Sequence, residues 1–302
     1  MIAIYVFPQV RRISLYFAVP FMKWKTMSID KWSALRRFVQ QRTKRSAMRL
    51  NPFQIFRTEA KALVDGEEGS GEVYRDEVFV HIEFGVAVRI LRRCEHNVTQ
   101  KDLSEAHLHK IDNTGHFHWP AEELLADFAM KTVNPADTVL ELGAGTGLAG
   151  FCLSSHRKQS VILSDGNASV VELLKKNAAH SGNGNSVRLL RWDVPGTYLD
   201  LVDRVDVVIG ADCLFFEDYH SALVQLVKNF FAAGRCRAFY IIAPSRGRSL
   251  EKWVQGLRSS VLCDIQVCDL DVFVKAHSEA AKTHEGYVSD CHYPVLVSVK
   301  KV

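Results

Sequence analysis

The 302-residue sequence has no pair of cysteines spaced for metal or redox chemistry. Its seven cysteines include no CxxC pair, and no combination of cysteine and histidine has the spacing of a zinc site. We therefore predict reduced thiols that mostly fill the core, and no bound metal. This cysteine usage favours an intracellular protein, and we expect it in the cytoplasm, with the nucleus as a further compartment.

The sequence also lacks an apolar run long enough to span a membrane, and it has no internal repeat. Residues 1–7 are apolar but end at a proline, and two arginines separate them from the apolar residues 13–22. A membrane span needs about 20 apolar residues. No small-residue cleavage site follows, which disfavours a signal peptide. Two interpretations of residues 1–26 stay open: an organelle-targeting peptide, and an extension upstream of a start at Met27.

Acidic residues are almost absent from the first 50 positions. This basic arm (residues 1–50) contains eleven Lys and Arg but only one acid, Asp30, and so carries a net charge of +10, against −6 for the remainder. A basic arm on an acidic body favours an acidic partner. Nucleic acid, a membrane surface and a solvated extension without any partner are the alternatives.

Short apolar runs alternate with segments of helical periodicity beyond Gly115. This alternation predicts a doubly wound α/β domain with a mainly parallel sheet, whose ligands bind beyond the carboxyl ends of the strands. Before it, residues 32–39 have helical spacing, and residues 78–88 alternate loosely as strands do. The predicted strands are 138–142, 160–164, 186–191, 205–210, 238–243, 261–267 and 294–299, and the predicted helices are 119–131, 148–155, 168–180, 219–231 and 249–260.

A glycine-rich loop, ELGAGTG at 141–147, follows the first of these strands. Its glycines allow a tight turn and a close approach to a ligand, and the next helix offers free N–H groups. Two cofactors are compatible with the loop. Gly145, Gly147 and Gly150 match the GxGxxG pattern of dinucleotide sites, and Glu141 with Gly143, Gly145 and Gly147 matches sites for S-adenosyl-L-methionine. A tight turn without a ligand is the third interpretation.

The next three strands also end at residues suited to such a cofactor. Asp165 can accept hydrogen bonds from both ribose hydroxyls, although a helix cap at this position is the alternative. Trp192 can pack on an adenine and Asp193 can accept from its amine, whereas simple core packing is the alternative for the indole. Asp212 beside Phe215 is suited to a cationic amine, or else to helix capping. Four suitable strand ends in order are stronger evidence than any one of them.

Several segments resemble the seven-strand lysine methyltransferases and, among these, the calmodulin-lysine N-methyltransferase family. The segments are DNTGHFHWPAEELLADF (112–128), LSDGN (163–167), LRWD (190–193), ADCLFFEDY (211–219), APSRGRSLEKW (243–253) and HYPVLVSVKK (292–301). The resemblance covers the chain from about Ser28 onward. It implies a seven-stranded Rossmann-like fold with an N-terminal extension at 1–27, a cap or substrate-docking region at 28–115 and a cofactor domain at 116–302.

The resemblance further implies S-adenosyl-L-methionine as cofactor and a protein lysine, that of calmodulin, as methyl acceptor, rather than nucleic acid. Related lysine methyltransferases often have Tyr where this chain has Phe215, and Tyr293 is a candidate for the missing hydroxyl. A nicotinamide-dependent oxidoreductase and a non-catalytic binding module are the competing hypotheses. Together with Glu141 from the loop pattern, the predicted cofactor-binding residues are Trp119, Gly143, Ala144, Gly145, Asp165, Trp192 and Ala211, and the predicted catalytic residues are Asp212 and Phe215.

Overall fold

The chain folds into two sheets, both of which contribute to the first of two apolar clusters, as seen in a computed structural model. The structure describes residues 53–65, 72–94, 114–182, 184–270, 275, 279 and 293–302. The predicted helix at 32–39 and the whole basic arm lie outside these residues. None of the helices within the described ranges is long and apolar enough to cross a membrane.

A small antiparallel sheet forms the N-terminal part of the described chain. Its strands are β1 (Phe56–Asp65), β2 (Val73–His81) and β3 (Ala87–Arg93), and β2 lies in the centre. The side chains of Phe79 and Ile90 are fully buried and belong to the core of the larger domain. Most of β1, in contrast, is exposed.

The larger sheet has seven strands, six of which run in the same direction. The strand order is β6-β5-β4-β7-β8-β10-β9, and only β10 is antiparallel to its neighbours. The strands are β4 (Val139–Leu142), β5 (Val161–Asp165), β6 (Ser186–Leu189), β7 (Val207–Ala211), β8 (Ala238–Pro244), β9 (Cys263–Cys268) and β10 (Pro294–Lys301).

Helices cover both faces of this sheet because the side chains of successive residues on its strands point to opposite faces. Val139 packs in the cluster with the first three helices, whereas Leu140 packs in the cluster with the last two. The central strands are therefore apolar on both sides, as expected for parallel sheets. The helices are α1 (Pro120–Thr132), α2 (Leu148–Arg157), α3 (Ala168–Ser181), α4 (His220–Ala233) and α5 (Ser249–Arg258).

The doubly wound fold predicted beyond Gly115 is confirmed, and each of its predicted strands and helices has ends within about two residues of the observed ones. The prediction that residues 78–88 supply strands is confirmed, since they include the end of β2 and the start of β3. A turn around Gly85 separates β2 from β3, with a backbone φ of 66° at this glycine. Strand β1 was not predicted, because its exposed residues show no apolar alternation.

Candidate functional site

A cavity of about 400 Å³ lies at the carboxyl ends of β4, β5 and β7. These parallel strands end at the same edge of the sheet, so the residues that follow them converge there. Eight of the predicted site residues line this cavity: Trp119, Gly143, Gly145, Asp165, Trp192, Ala211, Asp212 and Phe215.

The glycine-rich loop forms one wall of the cavity and depends on glycine at two positions in particular. Gly147 precedes α2 with a φ of 85°, and a Cβ there would lie 2.8 Å from the Leu174 side chain. Gly145 has a φ of 55°, and a Cβ there would lie 3.2 Å from the carbonyl oxygen of Gly115. The loop can therefore pass close to its neighbours only without side chains at these positions.

Asp165 lines the cavity beside the loop, and backbone N–H groups hold its side chain. One of its carboxylate oxygens accepts a hydrogen bond from the Gly145 N–H at 3.2 Å, and the other accepts from the Asn167 N–H at 2.9 Å. The side chain of Asn167, not that of Asp165, caps α3 by accepting from the Ser169 N–H at 2.9 Å. The side chain lines the cavity, and a carboxylate is the kind of group that accepts hydrogen bonds from ribose hydroxyls.

Trp192 lines the cavity, partly buried against the second apolar cluster. Tyr219, which was not predicted as a site residue, meets its indole edge to face with ring centroids 6.3 Å apart. Asp193 lies on the same side and pairs with Arg191, with N···O distances of 2.9 and 3.1 Å. The indole and the phenol thus form an aromatic wall that suits a planar base.

Glu141 and Ala144, both predicted to bind the cofactor, do not line this cavity. Glu141 is buried beneath the loop, where its carboxyl accepts a hydrogen bond from the Gly150 N–H at 2.9 Å. Burial, together with the nearby charge of Glu122, raises the pKa of Glu141 to about 8. The structure therefore places Glu141 as a support between β4 and α2, at a glycine that lets the carboxyl approach.

Glu122 of α1 also lines the cavity but was not predicted from the sequence. Its carboxylate accepts from the Trp119 N–H at 2.9 Å and from the Thr146 hydroxyl at 2.8 Å, and so connects α1 to the loop. Next to it, burial would lower the pKa of His118, but hydrogen bonds and charge from Glu122 and Glu123 raise that pKa to about 9. The N-cap residue is Trp119 and not the Ser or Thr of a capping box, so the sequence carried no signal for this role of Glu122.

Asp212 and Phe215 form the remaining wall together with Arg246, which also was not predicted. Arg246 forms a two-pronged salt bridge with the Asp212 carboxylate, and each of the two side chains is 9% exposed. The guanidinium carbon lies 5.4 Å from the Trp119 ring centroid and 5.7 Å from that of Phe215. The site thus holds a cation between two aromatic rings and a carboxylate.

Tyr293, the candidate for a hydroxyl in the lysine channel, lies elsewhere. It lines a second cavity with Ser245, Val267 and residues of α5, and it is not among the residues of the first cavity. Within the described residues, Tyr219 is the tyrosine that lines the cavity at the sheet edge.

The chemistry of the cavity walls fits an adenosine-bearing cofactor. Asp165 brings a carboxylate suited to a ribose, Trp192 with Tyr219 brings aromatic surface suited to a base, and the loop lines the cavity with the glycines Gly143 and Gly145. The reversed strand β10 distinguishes this sheet from dinucleotide-binding sheets, whose six strands follow the order 3-2-1-4-5-6. In the described part of the chain no three His, Cys, Asp or Glu side chains are grouped to hold a metal ion.

Solved structures with similar folds include methyltransferases. A magnesium protoporphyrin IX methyltransferase from Synechocystis PCC 6803, solved with bound S-adenosylmethionine, is 16% identical, with 68% of this chain and 85% of that chain covered and a TM-score of 0.39. An rRNA methylase from Streptococcus thermophilus is 14% identical, covers 60% of this chain and 96% of its own, and has a TM-score of 0.41. TM-scores this low carry no argument about the fold beyond the strand order of the sheet.

Curated relatives are closer in sequence. A calmodulin-lysine N-methyltransferase from Arabidopsis thaliana is 31% identical over 211 residues, which are 66% of this chain and 69% of that protein. The human protein-lysine N-methyltransferase EEF2KMT is 32% identical over 137 residues, and this match covers 39% of this chain and 41% of the human protein.

The comparison with family models agrees with these relatives. The model described as lysine methyltransferase matches residues 101–259, more than half of the chain. This range includes the glycine-rich loop and every predicted site residue that lines the cavity. On the sequence match, and with a sheet and a cavity that suit it, the chain belongs to the lysine methyltransferase family.

Proposed function

We propose that this protein is an S-adenosyl-L-methionine-dependent protein-lysine N-methyltransferase and that calmodulin is its substrate. One observation carries the proposal: a carboxylate and an aromatic ring, Asp212 and Phe215, share one cavity with the glycine-rich loop and Asp165 in a chain of the lysine methyltransferase family. The cavity therefore combines a site for an adenosine-bearing cofactor with a site for a cationic side chain.

Within this proposal the cofactor is held by the walls already described. Asp165 accepts from the ribose hydroxyls, Trp192 packs on the base, and the Gly143–Gly145 backbone leaves room for the amino acid part. Trp119 and Ala211 complete the enclosure. Each contact matches the chemistry of its group, because a carboxylate accepts hydrogen bonds and an aromatic ring packs on a planar base.

S-adenosyl-L-methionine supplies a methyl group on a sulfonium, which is electrophilic enough to react with an amine directly. In the transfer, the lysine nitrogen forms a bond to the methyl carbon as the carbon–sulfur bond breaks, so positioning matters more than acid–base chemistry. Asp212 orients the amine by accepting a hydrogen bond. The rings of Phe215 and Phe216, 5.0 Å apart, exclude water and tolerate the cationic product.

The amine must lose a proton to solvent before it reacts. With an ordinary lysine pKa near 10.4, about one amine in 10³ is neutral at pH 7. Desolvation between Phe215 and Phe216 lowers this pKa, because burial disfavours the charged form. The aromatic side of the site therefore increases the reactive fraction of the substrate.

Two observations support calmodulin as the substrate. The Arabidopsis relative carries that activity in its name and is similar over two thirds of both chains. Calmodulin is acidic, and the basic arm carries a net charge of +10, which favours its approach to an acidic protein. We propose the cytoplasm, with the nucleus as a further compartment, as the place where enzyme and substrate meet.

The direct test is incubation of the protein with calmodulin and isotope-labelled S-adenosyl-L-methionine, followed by mass spectrometry of calmodulin peptides. We expect label on a lysine side chain, and its loss in Asp212→Ala. Calorimetry with the same cofactor and with a nicotinamide dinucleotide provides the comparison. Tight binding of the nicotinamide, or cofactor binding without transfer to any protein lysine, would contradict the proposal.

The contribution of the basic arm is tested in the full chain by changing Arg36, Arg37, Lys44 and Arg45 to Glu. We expect KM for calmodulin to rise and its salt dependence to weaken, because steering by exposed charges is screened by salt. An unchanged KM with an unchanged salt dependence would show that the arm does not steer the substrate.

A further inference from the structure

Arg246 occupies the part of the cavity where the proposed function places the substrate amine. Its Nε donates to one Asp212 oxygen at 2.9 Å, and its Nη2 donates to the other. The guanidinium also lies against the rings of Trp119 and Phe215. Because these groups enclose the pair, water weakens the attraction between the two charges only slightly.

The backbone on both sides of this pair is in a conformation that non-glycine residues rarely adopt. Asp212 has a φ of 50°, and its N–H donates to the Ile242 carbonyl at 2.8 Å. Arg246, Gly247 and Arg248 have successive φ values of 47°, 69° and 70°. Such conformations cost free energy and cluster where a side chain must be aimed. Here they aim the carboxylate and the guanidinium at each other.

An unpaired carboxylate would be a poor partner for a nucleophilic amine. A negative charge beside the amine stabilises its protonated form, which cannot attack a methyl group. Asp212 alone would therefore orient the substrate while making less of it reactive. A cation bound to Asp212 removes this conflict, because the pair has no net charge.

We propose that Arg246 is a positioning residue that neutralises Asp212, so that the carboxylate orients the substrate amine without holding it in the protonated form. This rests on the proposed function. The Arg246 guanidinium occupies two of the roughly four lone-pair positions of the carboxylate, and the amine N–H uses one of the others. The pair persists during turnover, since separating a buried pair leaves one charge uncompensated.

The other ionisable groups in the cavity leave this charge balance to the Asp212–Arg246 pair. Those on the described residues are Glu122 of α1, Asp165 of β5, Arg191 and Asp193 after β6, Cys213 after β7 and Tyr219 before α4. Glu122 and Asp165 are held by hydrogen bonds to the loop, and Arg191 pairs with Asp193. Burial raises the pKa of Cys213 to about 12, so this thiol is neutral.

The test is the pH dependence of single-turnover methyl transfer at saturating cofactor and calmodulin, because that rate reports the protonation of the bound amine. We expect Arg246→Gln to move the acid limb up by about one pH unit, which corresponds to a roughly tenfold lower rate at pH 7. At the high-pH plateau the Gln variant approaches the wild-type rate. Arg246→Lys keeps the charge but not the two-pronged geometry, so we expect its acid limb near the wild-type position and its plateau lower.

Arg248→Gln is the matched control, because Arg248 is exposed in the same loop and does not line the cavity. We expect its profile to equal that of the wild type. A Gln profile that coincides with the wild type, or a faster Gln variant with a lower KM, would overturn the proposal, and the latter would show that Arg246 competes with the substrate. If Arg246→Gln does not fold, Arg246→Lys provides the test. An acid limb of Arg246→Lys that moves upward would overturn the proposal, because this variant keeps the positive charge.

Failure of the proposed function has a different signature. In that case the wild-type protein transfers no methyl group to calmodulin at any pH. A wild-type enzyme that methylates calmodulin, together with an Arg246→Gln profile that does not move, rejects the role of Arg246 alone.

Discussion

The seven-stranded sheet and the small N-terminal sheet bury their side chains differently. Every residue of β4 and β7 is buried, whereas β1 buries only its first residue, Phe56. The parallel strands have helices on both faces, and an antiparallel sheet can leave one face to solvent. The central strands of the larger sheet are therefore held on both faces, whereas its edge strands β6 and β9 are largely exposed and the small sheet depends on a limited number of contacts.

Those contacts lie mainly where β3 meets α2 and α3 of the larger domain. Asn177 of α3 accepts from the Leu91 N–H at 2.8 Å and donates to the Leu91 carbonyl at 3.0 Å and to the Thr146 carbonyl at 2.9 Å. One buried side chain thus joins the small sheet to the glycine-rich loop. The candidate ligand cavity lies at the strand ends of the large sheet. The small sheet packs on helices that hold these strand ends in place.

The largest expected effect is at the large sheet. Asp165→Ala removes the carboxylate proposed to bind the ribose, and hydrogen bonds to charged groups contribute about 1.5–3 kcal/mol each. We expect the affinity for S-adenosyl-L-methionine, measured by calorimetry, to fall about 100-fold. Asp200→Ala is the control, since Asp200 is exposed and pairs with Arg188 outside the cavity. Equal affinities of the two variants would mean that Asp165 only supports the loop.

The next effect concerns Asn177, which joins the small sheet to the glycine-rich loop. Asn177→Ala leaves the Leu91 N–H and two carbonyl groups without their partner, so we expect the free energy of unfolding to fall by about 2 kcal/mol. Amide exchange should increase in β3 first, while β4 and β7 stay protected. Asn229→Ala is the matched control, because Asn229 bonds to Tyr198 within the other half of the domain. Uniform loss of protection in both sheets would show that they do not differ in stability.

His118, just before α1, predicts an effect of pH on the free energy of unfolding. Its pKa in the folded protein is about 9, above the unfolded value of 6.5, so protonation of this side chain stabilises the fold below pH 6.5. That stabilisation, on the order of 3 kcal/mol, is lost as the pH rises from 6.5 through 9. Urea unfolding of the wild type and of His118→Gln at pH 6 and pH 9 measures it.

Glu141 also has a raised pKa, and it lowers the stability of both proteins as the pH rises from about 4.5 to 8. Subtracting the stability loss of His118→Gln from that of the wild type therefore removes the contribution of Glu141. We expect the wild type to lose more of its stability than the variant between the two pH values. Parallel losses would mean that His118 is not held in its protonated form.

The smallest effect is expected on the exposed part of the small sheet. Leu63 is 68% exposed on β1, so Leu63→Ala should change the free energy of unfolding by less than about 0.5 kcal/mol. Ile90 is fully buried on β3 in the same sheet, and Ile90→Ala should cost about 3 kcal/mol. Equal effects in thermal unfolding would show that β1 packs against a further part of the chain.

Particular elements show which parts of the fold were open to prediction. The seven strands and five helices beyond Gly115 follow from local apolar periodicity, since burial on both faces makes each strand a short apolar run. Strand β1 escaped prediction because its side chains face solvent and its stability comes from hydrogen bonds to β2. Tyr219 and Glu122 escaped because each reaches the cavity from a helix start, away from a strand end.

The sequence by itself determined the order of the strands and helices beyond Gly115, the glycine-rich loop and the acids at the ends of β5 and β7, because these depend on local patterns. Only the tertiary structure decided that Glu141 supports the loop from below, that Tyr293 lies in another cavity and that Arg246 binds Asp212. Asp212 and Arg246 are 34 positions apart in the chain. The parallel sheet brings neighbouring strand ends together regardless of this separation, and that physical fact turned a predicted lone carboxylate into a neutral pair.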